Sequence, residues 1–412
     1  MTWNFAAGRL VASQPWLEAL AEHVAADDRD FHRHEGLYFG VGLETGALHT
    51  AFIHSSVRGQ GAGGLRHWPY PTLESLIRDG LRLSTGMSRK NALAGLWWGG
   101  GKGIVARQSE HGDRYRDPAY RRTLYREYGA FTTSLRGLYV TAEDVGTGPS
   151  DMAEVFATTR HVTCVPPAVG GSGNPSPATA KGVVSAMEGA LDHCGKGGIA
   201  GKTVAMQGAG NVATFMIEAL LARDVGRVVA TEISAPRCAL LRERFAGRPV
   251  EIRETTIGDL SIFAEPCDVF APNALGGVLG PETIPLLQTP IVCGAANNQL
   301  LDDRRDDSAL AARGIIYVPD FVANRMGIVN CANEQYGTLS EDPAIERHFS
   351  RDWDNAVFVV TKRILELAER RGITSSEAAN ELADEACSQA HPIWGHRGRA
   401  IAEGLETDGW GR

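Results

Sequence analysis

Long apolar runs are missing from this chain: no stretch approaches the roughly 20 residues that span a bilayer. That argues against a membrane-helix protein. The N-terminal stretch MTWNFAAGRLVASQPW has neither the basic start nor the continuous apolar segment of a secretory leader. Positive charge is also in short supply, with 41 Lys and Arg against 49 Asp and Glu and a net charge of -8. The chain therefore has no basic footprint for nucleic acid and none for an anionic membrane. Cysteine is sparse: seven residues, scattered singly from Cys164 to Cys387 with no CxxC pair. This excludes a disulfide framework and suits reduced thiols in a cytoplasm. His32 and His34, in HRHEG, come nearest to a metal pair, but no further ligand follows at metal spacing. They read as exposed histidines, and no metal is expected. Internal repeats and low-complexity tails are absent.

What is present is the composition of a water-soluble globular protein, 43% hydrophobic and 22% charged over 412 residues. So long a chain calls for two domains rather than one core. Up to about residue 170, helical and strand patterns mix. Leu73, Leu76, Ile77, Leu81 and Met87 form a helical stripe that starts after Pro71-Thr72. PPAVGGSGNPSP, residues 166–177, is too rich in Gly, Pro and Ser for a regular element and reads as a hinge. Short β-rich runs then alternate with helical patterns: 203–207, 227–231, 268–271, 291–294 and 315–318. This alternation predicts a doubly wound α/β domain with a parallel sheet. The last zone is helical. Val357, Val360, Ile364, Leu367 and Ala368 share a face, Gly372 stops that helix, and Thr374-Ser375-Ser376-Glu377 caps another.

Gly208-Ala209-Gly210-Asn211-Val212-Ala213 lies between a predicted strand and a predicted helix. Its first glycine permits a tight turn, its second lets backbone approach a pyrophosphate, and Ala213 allows close helix packing. The helix N-terminus adds amide donors and a favourable dipole. Glu232 ends the next strand, where a carboxylate can bond ribose hydroxyls and repel a 2′-phosphate. The cofactor is expected to be NAD. Arg237, a few residues on, is close enough to open the site to NADP, though it reads more readily as a solvated helix residue.

Two lysines and an aspartate complete the sequence-level site. Lys102 sits in Gly99-Gly100-Gly101-Lys102-Gly103, read as a glycine-rich turn, Lys90 near the end of the preceding helix, and Asp144 directly after the strand-like Leu138–Val140. Their surroundings resemble the glutamate/leucine/phenylalanine/valine dehydrogenase family. The resemblance rests on a series of blocks in family order: GGLRHW (63–68), GMSRKNALAGLWWGGGKG (86–103), YVTAEDVGT (139–147), GSGNPSPATAKGV (171–183), GKTVAMQGAGNVA (201–213), APNALGGVL (271–279), GAANNQL (294–300) and PDFVANRMGIVN (319–330). It is closest to the leucine, valine and phenylalanine branch.

The resemblance implies an amino-acid dehydrogenase of two domains. Residues 1–171 would bind substrate and mediate homo-oligomerisation. Residues 172–350 would form the Rossmann-type NAD domain, and 351–412 C-terminal helices returning to the first domain. Lys90 matches the lysine that holds the substrate carboxylate, with Gly63 and Gly64 beside it. Lys102 matches the catalytic lysine, whose ammonium loses proton affinity when desolvated. Asp144 matches the residue that exchanges protons with the amine. Thr179 and Asn211 match nicotinamide-binding groups, and Asn297 and Asn298 a pair near nicotinamide and carboxylate. Gly208, Gly210, Val212, Glu232 and Ala274 would complete the cofactor surface.

Substrate choice turns on Ala62 and Cys331. They stand where glutamate dehydrogenases carry a lysine and a serine for the side-chain carboxylate. Neither pairs with a second negative charge, whose burial would cost several kcal/mol. With Ala142 and Ile328 they imply a pocket for a neutral, apolar, even aromatic side chain. Trp97, Trp98, Arg325 and Met326 replace smaller residues and bear on that pocket, leaving room for an unusual bulky substrate. Two other readings compete. A 2-hydroxy-acid dehydrogenase would need a His–carboxylate couple in such a block, and none is present. A regulatory protein that binds NAD without catalysis would have no use for Lys90, Lys102 and Asp144 together.

Overall fold

The computed structural model describes residues 1–107, 109–337, 339 and 341–411. Its packing divides the chain into two compact units. The first comprises residues 1–174, 331–339 and 383–412, and the second residues 175–330 and 340–382. No helix among the described residues is long and apolar enough to cross a membrane.

The first unit is built on a seven-stranded sheet. Its strands are β1 (Thr2–Asn4), β2 (Arg9–Val11), β3 (Gly36–Val41), β4 (Leu48–Ser55), β5 (Gly61–Pro69), β6 (Gly99–Arg107) and β7 (Tyr139–Glu143). They run in the order β2-β1-β3-β4-β6-β5-β7. β5 pairs parallel with both β6 and β7, and the remaining pairings are antiparallel. Helices α1 (Glu18–Ala25), α2 (Leu73–Leu93), α3 (Pro118–Ser134) and α4 (Pro149–Phe156) accompany the sheet. α2 begins where Thr72 and Ser75 cap each other: Ser75 N donates to Thr72 Oγ1 at 3.1 Å, and Thr72 N to Ser75 Oγ at 3.3 Å. Its apolar stripe, Leu76, Ile77 and Leu81, packs on Leu37, Phe52 and Ile104 of the sheet. Truncating one of these leucines would cost about 2–5 kcal/mol.

The glycine-rich run around Lys102 is not a turn. It is β6, inside the sheet, because its neighbours leave no room for side chains. A Cβ on Gly103 would lie 2.1 Å from the Tyr128 hydroxyl, and one on Gly101 2.8 Å from the Tyr139 ring. The glycines admit tight packing here, not a reversal. The exposed-histidine reading fails for His34, which is fully buried. His34 packs 4.9 Å from the His54 ring and bonds Leu81 O through Nε2 at 3.0 Å. Burial, with His54 next, pushes it well below its ordinary pKa.

The second unit has six parallel strands: β8 (Thr203–Gln207), β9 (Arg227–Glu232), β10 (Val250–Glu254), β11 (Val269–Pro272), β12 (Ile291–Val292) and β13 (Ile316–Tyr317). Their order, β10-β9-β8-β11-β12-β13, reverses direction at β8, as in the doubly wound dinucleotide fold. β10 was not anticipated. Its sequence VEIRE alternates charge with apolar residues, as an edge strand does. Helices α5 (Ser176–His193), α6 (Asn211–Leu221), α7 (Ala235–Arg244) and α8 (Asp303–Ala312) alternate with the strands. There follow α9 (Asp320–Ala323), α10 (Met326–Asn333), α11 (Pro343–Glu346), α12 (Val357–Arg371), α13 (Ser375–Cys387) and α14 (Arg397–Thr407).

The C-terminal expectation needs correction. α12 packs on α5 and belongs to the second unit, so residues 351–382 do not return to the first. Its face Val357, Val360 and Ile364 is buried there because α5 offers small residues; Gly189 approaches Phe358 O and Thr361. Only residues 383–412 of the tail lie in the first unit.

Candidate active site

In the first unit β6 and β7 bring Lys102 and Asp144 together. Lys102 Nζ donates to Asp144 Oδ2 at 2.7 Å, with the two side chains 4% and 14% exposed. Arg66, on β5, donates to the same oxygen through Nε at 3.0 Å. Its Nη1 reaches Asp79 of α2 at 2.9 Å, and Asp79 also accepts from the Tyr70 hydroxyl. Arg66 went unnoticed in the sequence reading although it lies inside the GGLRHW block, because a lone arginine on a strand normally faces solvent. Burial drives the Lys102 ammonium below its ordinary pKa, against the pull of Asp144. Burial would raise the Asp144 carboxyl, but Lys102 and Arg66 outweigh it and hold it well below the usual carboxylate range. The cluster thus sets a lysine of lowered proton affinity beside a firmly ionised aspartate.

Gly63 and Gly64 are required by this geometry. A Cβ on Gly63 would lie 1.9 Å from Gly101 O, and one on Gly64 2.7 Å from Asp144 Cβ. Lys90 lies in the last turn of α2, on the helix that packs against β6. Ala62 pairs with Gly100 and Val140 and is wholly buried. Ala142 is 4% exposed. Cys331 is buried too, and its thiol contacts that of Cys164, which with burial raises it well above the ordinary value. Glu143, next to Asp144, is half-buried, and among the described residues no cation is paired with it. Burial, then Asp144 and Asp151, push its carboxyl up to about 7. Nothing in the sequence distinguishes Glu143 from a solvated strand-end acid.

Glu334 of the first unit is a further unanticipated residue. One of its oxygens accepts from Cys164 N at 2.8 Å, Ser172 N at 2.7 Å and Ser172 Oγ at 2.7 Å. It fixes the start of the segment read as a hinge. Trp97, one of the bulky residues the sequence set against the pocket, is 40% exposed. Its ring lies under the Arg58 guanidinium at 4.3 Å and beside His391.

In the second unit the turn after β8 has the form a pyrophosphate site needs. Gly208 has φ +97°, and a Cβ there would meet Ala274 Cβ at 2.7 Å. A Cβ on Gly210 would meet nothing within 4 Å, so backbone faces open space there. Asn211 and Val212 start α6, whose free amides lie at the turn. Gln207 ends β8 and Asn273 follows β11, and among the described residues their buried Oε1 and Nδ2 atoms have no protein hydrogen-bond partner. They lie at the C-terminal ends of parallel strands, where doubly wound folds bind their ligands. Glu232 ends β9, its Oε1 accepting from the amides of Ile233 and Ser234 at 2.9 and 3.0 Å.

The remaining second-unit residues form two supports. Thr179 on α5 donates to Pro175 O at 2.9 Å and abuts Gly327. Asn297 Oδ1 accepts from Asn324 at 2.9 Å, while Asn298, at φ +51°, donates its amide to Asp320 at 2.8 Å. Asn273 and the Asn297–Asn298 loop flank the 274–277 loop, where Gly277 N donates to Asn298 O at 2.7 Å. Ile328 lies buried on α10. Arg325 and Met326 turn into the core: Arg325 donates to Asn355 O, and Met326 packs on Gly182. Among the described residues, no group of three His, Cys, Asp or Glu is placed to hold a metal.

Comparison with known proteins agrees over most of the chain. Residues 44–161 match the family described as Glu/Leu/Phe/Val dehydrogenase, dimerisation domain. Residues 170–236 and 241–395 match Glutamate/Leucine/Phenylalanine/Valine dehydrogenase. The chain is 36% identical to a leucine dehydrogenase of Bacillus cereus over 353 residues, 85% of this chain and 90% of that one. It is 33% identical to a phenylalanine dehydrogenase of Caldalkalibacillus thermarum over the same shares. In structure it resembles the L-tryptophan dehydrogenase from Nostoc punctiforme, with TM-score 0.67 and 31% identity, covering 86% of this chain and 96% of the other.

Proposed function

The chain belongs to the Glu/Leu/Phe/Val dehydrogenase family, and on that premise we propose that it deaminates a neutral, apolar L-amino acid by NAD-dependent oxidation. The balanced reaction takes amino acid, NAD⁺ and water to 2-oxo acid, ammonium, NADH and a proton. The observation that carries this reading is the enclosed Lys102–Asp144 pair at 2.7 Å. A lysine whose ammonium is weakened by burial has little structural use beside an aspartate already satisfied by Arg66.

When bound, nicotinamide supplies the acceptor for the Cα hydride. The rest is work for this chain's side chains. Lys90 holds the substrate carboxylate as a point charge. Asp144 takes the proton that the substrate ammonium must lose before hydride can leave. Asp144 is a weak base while Lys102 is charged, but the two titrate as a pair, and each proton lost by Lys102 raises the affinity of Asp144. Neutral Lys102 then takes one proton from the water that attacks the imino carbon, giving a carbinolamine, and its ammonium is placed to bond the new oxygen as ammonia leaves. The glycine turn, the α6 amides, Gln207 and Asn273 fit a dinucleotide, and Glu232 favours one with free ribose hydroxyls. Thr179, Asn211, Asn297, Asn298 and Ala274 lie on the same unit and complete that surface.

Ala62, Ala142, Ile328 and Cys331 supply no positive charge for an acidic side chain. The named relatives act on leucine, phenylalanine and tryptophan, which supports a substrate from that range. The first unit, part of it matched by a dimerisation domain, is the surface through which we expect the chain to self-associate, measurable by light scattering. The seven cysteines are all free, which fits a cytoplasmic setting. The direct test follows NAD reduction at alkaline pH with each proteinogenic L-amino acid. Leucine, valine, isoleucine, methionine, phenylalanine or tryptophan should react, and glutamate and aspartate should not. A preference for glutamate, or inactivity with all of them, would overturn the reading.

A further inference from the structure

Arg237, on α7, reaches back over the glycine turn. Its Nε donates to Ala209 O at 2.6 Å, the carbonyl at the middle of Gly208-Ala209-Gly210. Its Nη2 donates to Asn211 Oδ1 at 3.3 Å and to Thr214 Oγ1 at 3.1 Å, both in the first turn of α6. Its Nε also stands 3.8 Å from Glu232 Oε2, with the arginine side chain 31% exposed. A guanidinium so near the ribose-facing acid admits two opposite roles. It can clamp a 2′-phosphate, which would make the site accept NADP. Or it can be committed to the protein, leaving Glu232 to govern the choice.

Donor counting separates them. Arginine has five N–H groups. The Nε hydrogen and both Nη2 hydrogens already have protein acceptors, so only the Nη1 end remains, without the bidentate fork that makes arginine a strong phosphate ligand. Glu232 is fixed as well, since the Ile233 and Ser234 amides hold its other oxygen. We propose that Arg237 is a positioning residue of the cofactor site: it ties the glycine turn, the start of α6 and Glu232 into one rigid unit that favours a dinucleotide with free ribose hydroxyls. By donating to Asn211 Oδ1 it also directs that amide's Nδ2 outward as a donor. Less freedom is then lost on binding, which is how preorganisation raises affinity.

The inference rests on the dinucleotide reading above, and one calorimetric experiment separates the two. NAD and NADP are titrated into wild type, Arg237→Ala and Arg237→Lys, with thermal melts of each protein alongside. Arg237→Ala should weaken NAD binding by about tenfold while melting close to wild type. Arg237→Lys should recover part of the loss, because an ammonium reaches one of the acceptors but not all. NADP should bind weakly to all three. Unchanged NAD affinity in Arg237→Ala would overturn the proposal, and so would a loss confined to NADP, which would make Arg237 a phosphate ligand. A loss that only tracks a collapsed melting temperature would overturn it too. Wild type that binds neither dinucleotide would instead remove the premise, the cofactor reading itself.

Discussion

Lys102 and Asp144 sit out of water with their charges set against each other and against Arg66, whereas the turn after β8 leaves the backbone at Gly210 facing open space. The first region is made of side chains, and its properties come from desolvation. The second is made of backbone, and its properties come from what is not there, a Cβ at Gly208 or Gly210. Mutations should therefore injure the two regions by different routes and be read by different measurements. In the first, removing a functional group leaves the binding surface intact but removes chemistry. In the second, adding a single carbon blocks binding and leaves the chemistry waiting.

The largest effect is expected from Lys102→Ala. A positioned acid–base group is worth on the order of 10²–10⁴-fold in kcat, while calorimetric NAD affinity should stay within about twofold of wild type. Near-normal turnover in that variant would end the mechanism proposed for the first region. Gly208→Ala is the mirror experiment. Its φ of +97° disfavours any side chain, and the new methyl would meet Ala274 at 2.7 Å. NAD affinity should fall by about tenfold or more, with kcat at saturating NAD changed far less. Should both variants lose kcat and affinity together, the division of labour between the regions would be false.

A smaller effect concerns the acid that closes β9. If Glu232 faces the ribose hydroxyls as proposed, NAD should be preferred to NADP by at least about tenfold in kcat/KM, roughly 1.4 kcal/mol. Glu232→Gln should narrow that preference by removing the charge that repels a 2′-phosphate. Parity in wild type would mean that a cation, not Glu232, rules the site.

How much of this could be read from the sequence differs between the same two regions. The glycine turn was legible as a turn between β8 and α6, because Gly208, Gly210 and Ala213 specify its local backbone geometry by themselves. Lys102 and Asp144 were legible as residues but not as a pair with Arg66, since their meeting depends on the register of β5, β6 and β7. The β6 strand was misread as a turn for a related reason. Glycines there are dictated by Tyr128 and Tyr139, 25 and more residues away, and local propensity carries no trace of them. His34 was misplaced because a polar residue in HRHEG looks exposed until β4 and α2 close over it. β10 was missed because an edge strand with one wet face lacks an apolar run. The placement of α12 failed where it needed a partner's surface: its apolar face was plain, but only the small residues of α5 say what it packs against.

The smallest prediction sets Asp144 against its neighbour. Asp144 has two cations and stays ionised; Glu143 has none among the described residues, and burial, Asp144 and Asp151 push its carboxyl up to about 7. The consequence for stability follows from which state holds the proton more tightly. Below the ordinary glutamate value both folded and unfolded chains are protonated at Glu143, and the residue costs nothing. Between that value, about 4.5, and about 7 the unfolded chain gives up its proton first. The folded state then binds more protons, so stability falls as pH rises through this window. Above 7 the cost is complete. The side chain is only half-buried, so solvent screening reduces the cost to about 1 kcal/mol. Glu143→Gln keeps the shape and removes the charge. It should raise the melting temperature by about 2 °C at pH 8.5, on the scale that about 1 kcal/mol produces in a unit of this size, and by little at pH 5. Asp144→Asn should do the reverse, destabilising the protein at both pH values by leaving Lys102 and Arg66 without their shared negative charge. An equal gain from Glu143→Gln at pH 5 and pH 8.5 would show that Glu143 is a steric rather than an electrostatic burden. The contrast between the paired and the unpaired carboxylate would then lose its physical basis.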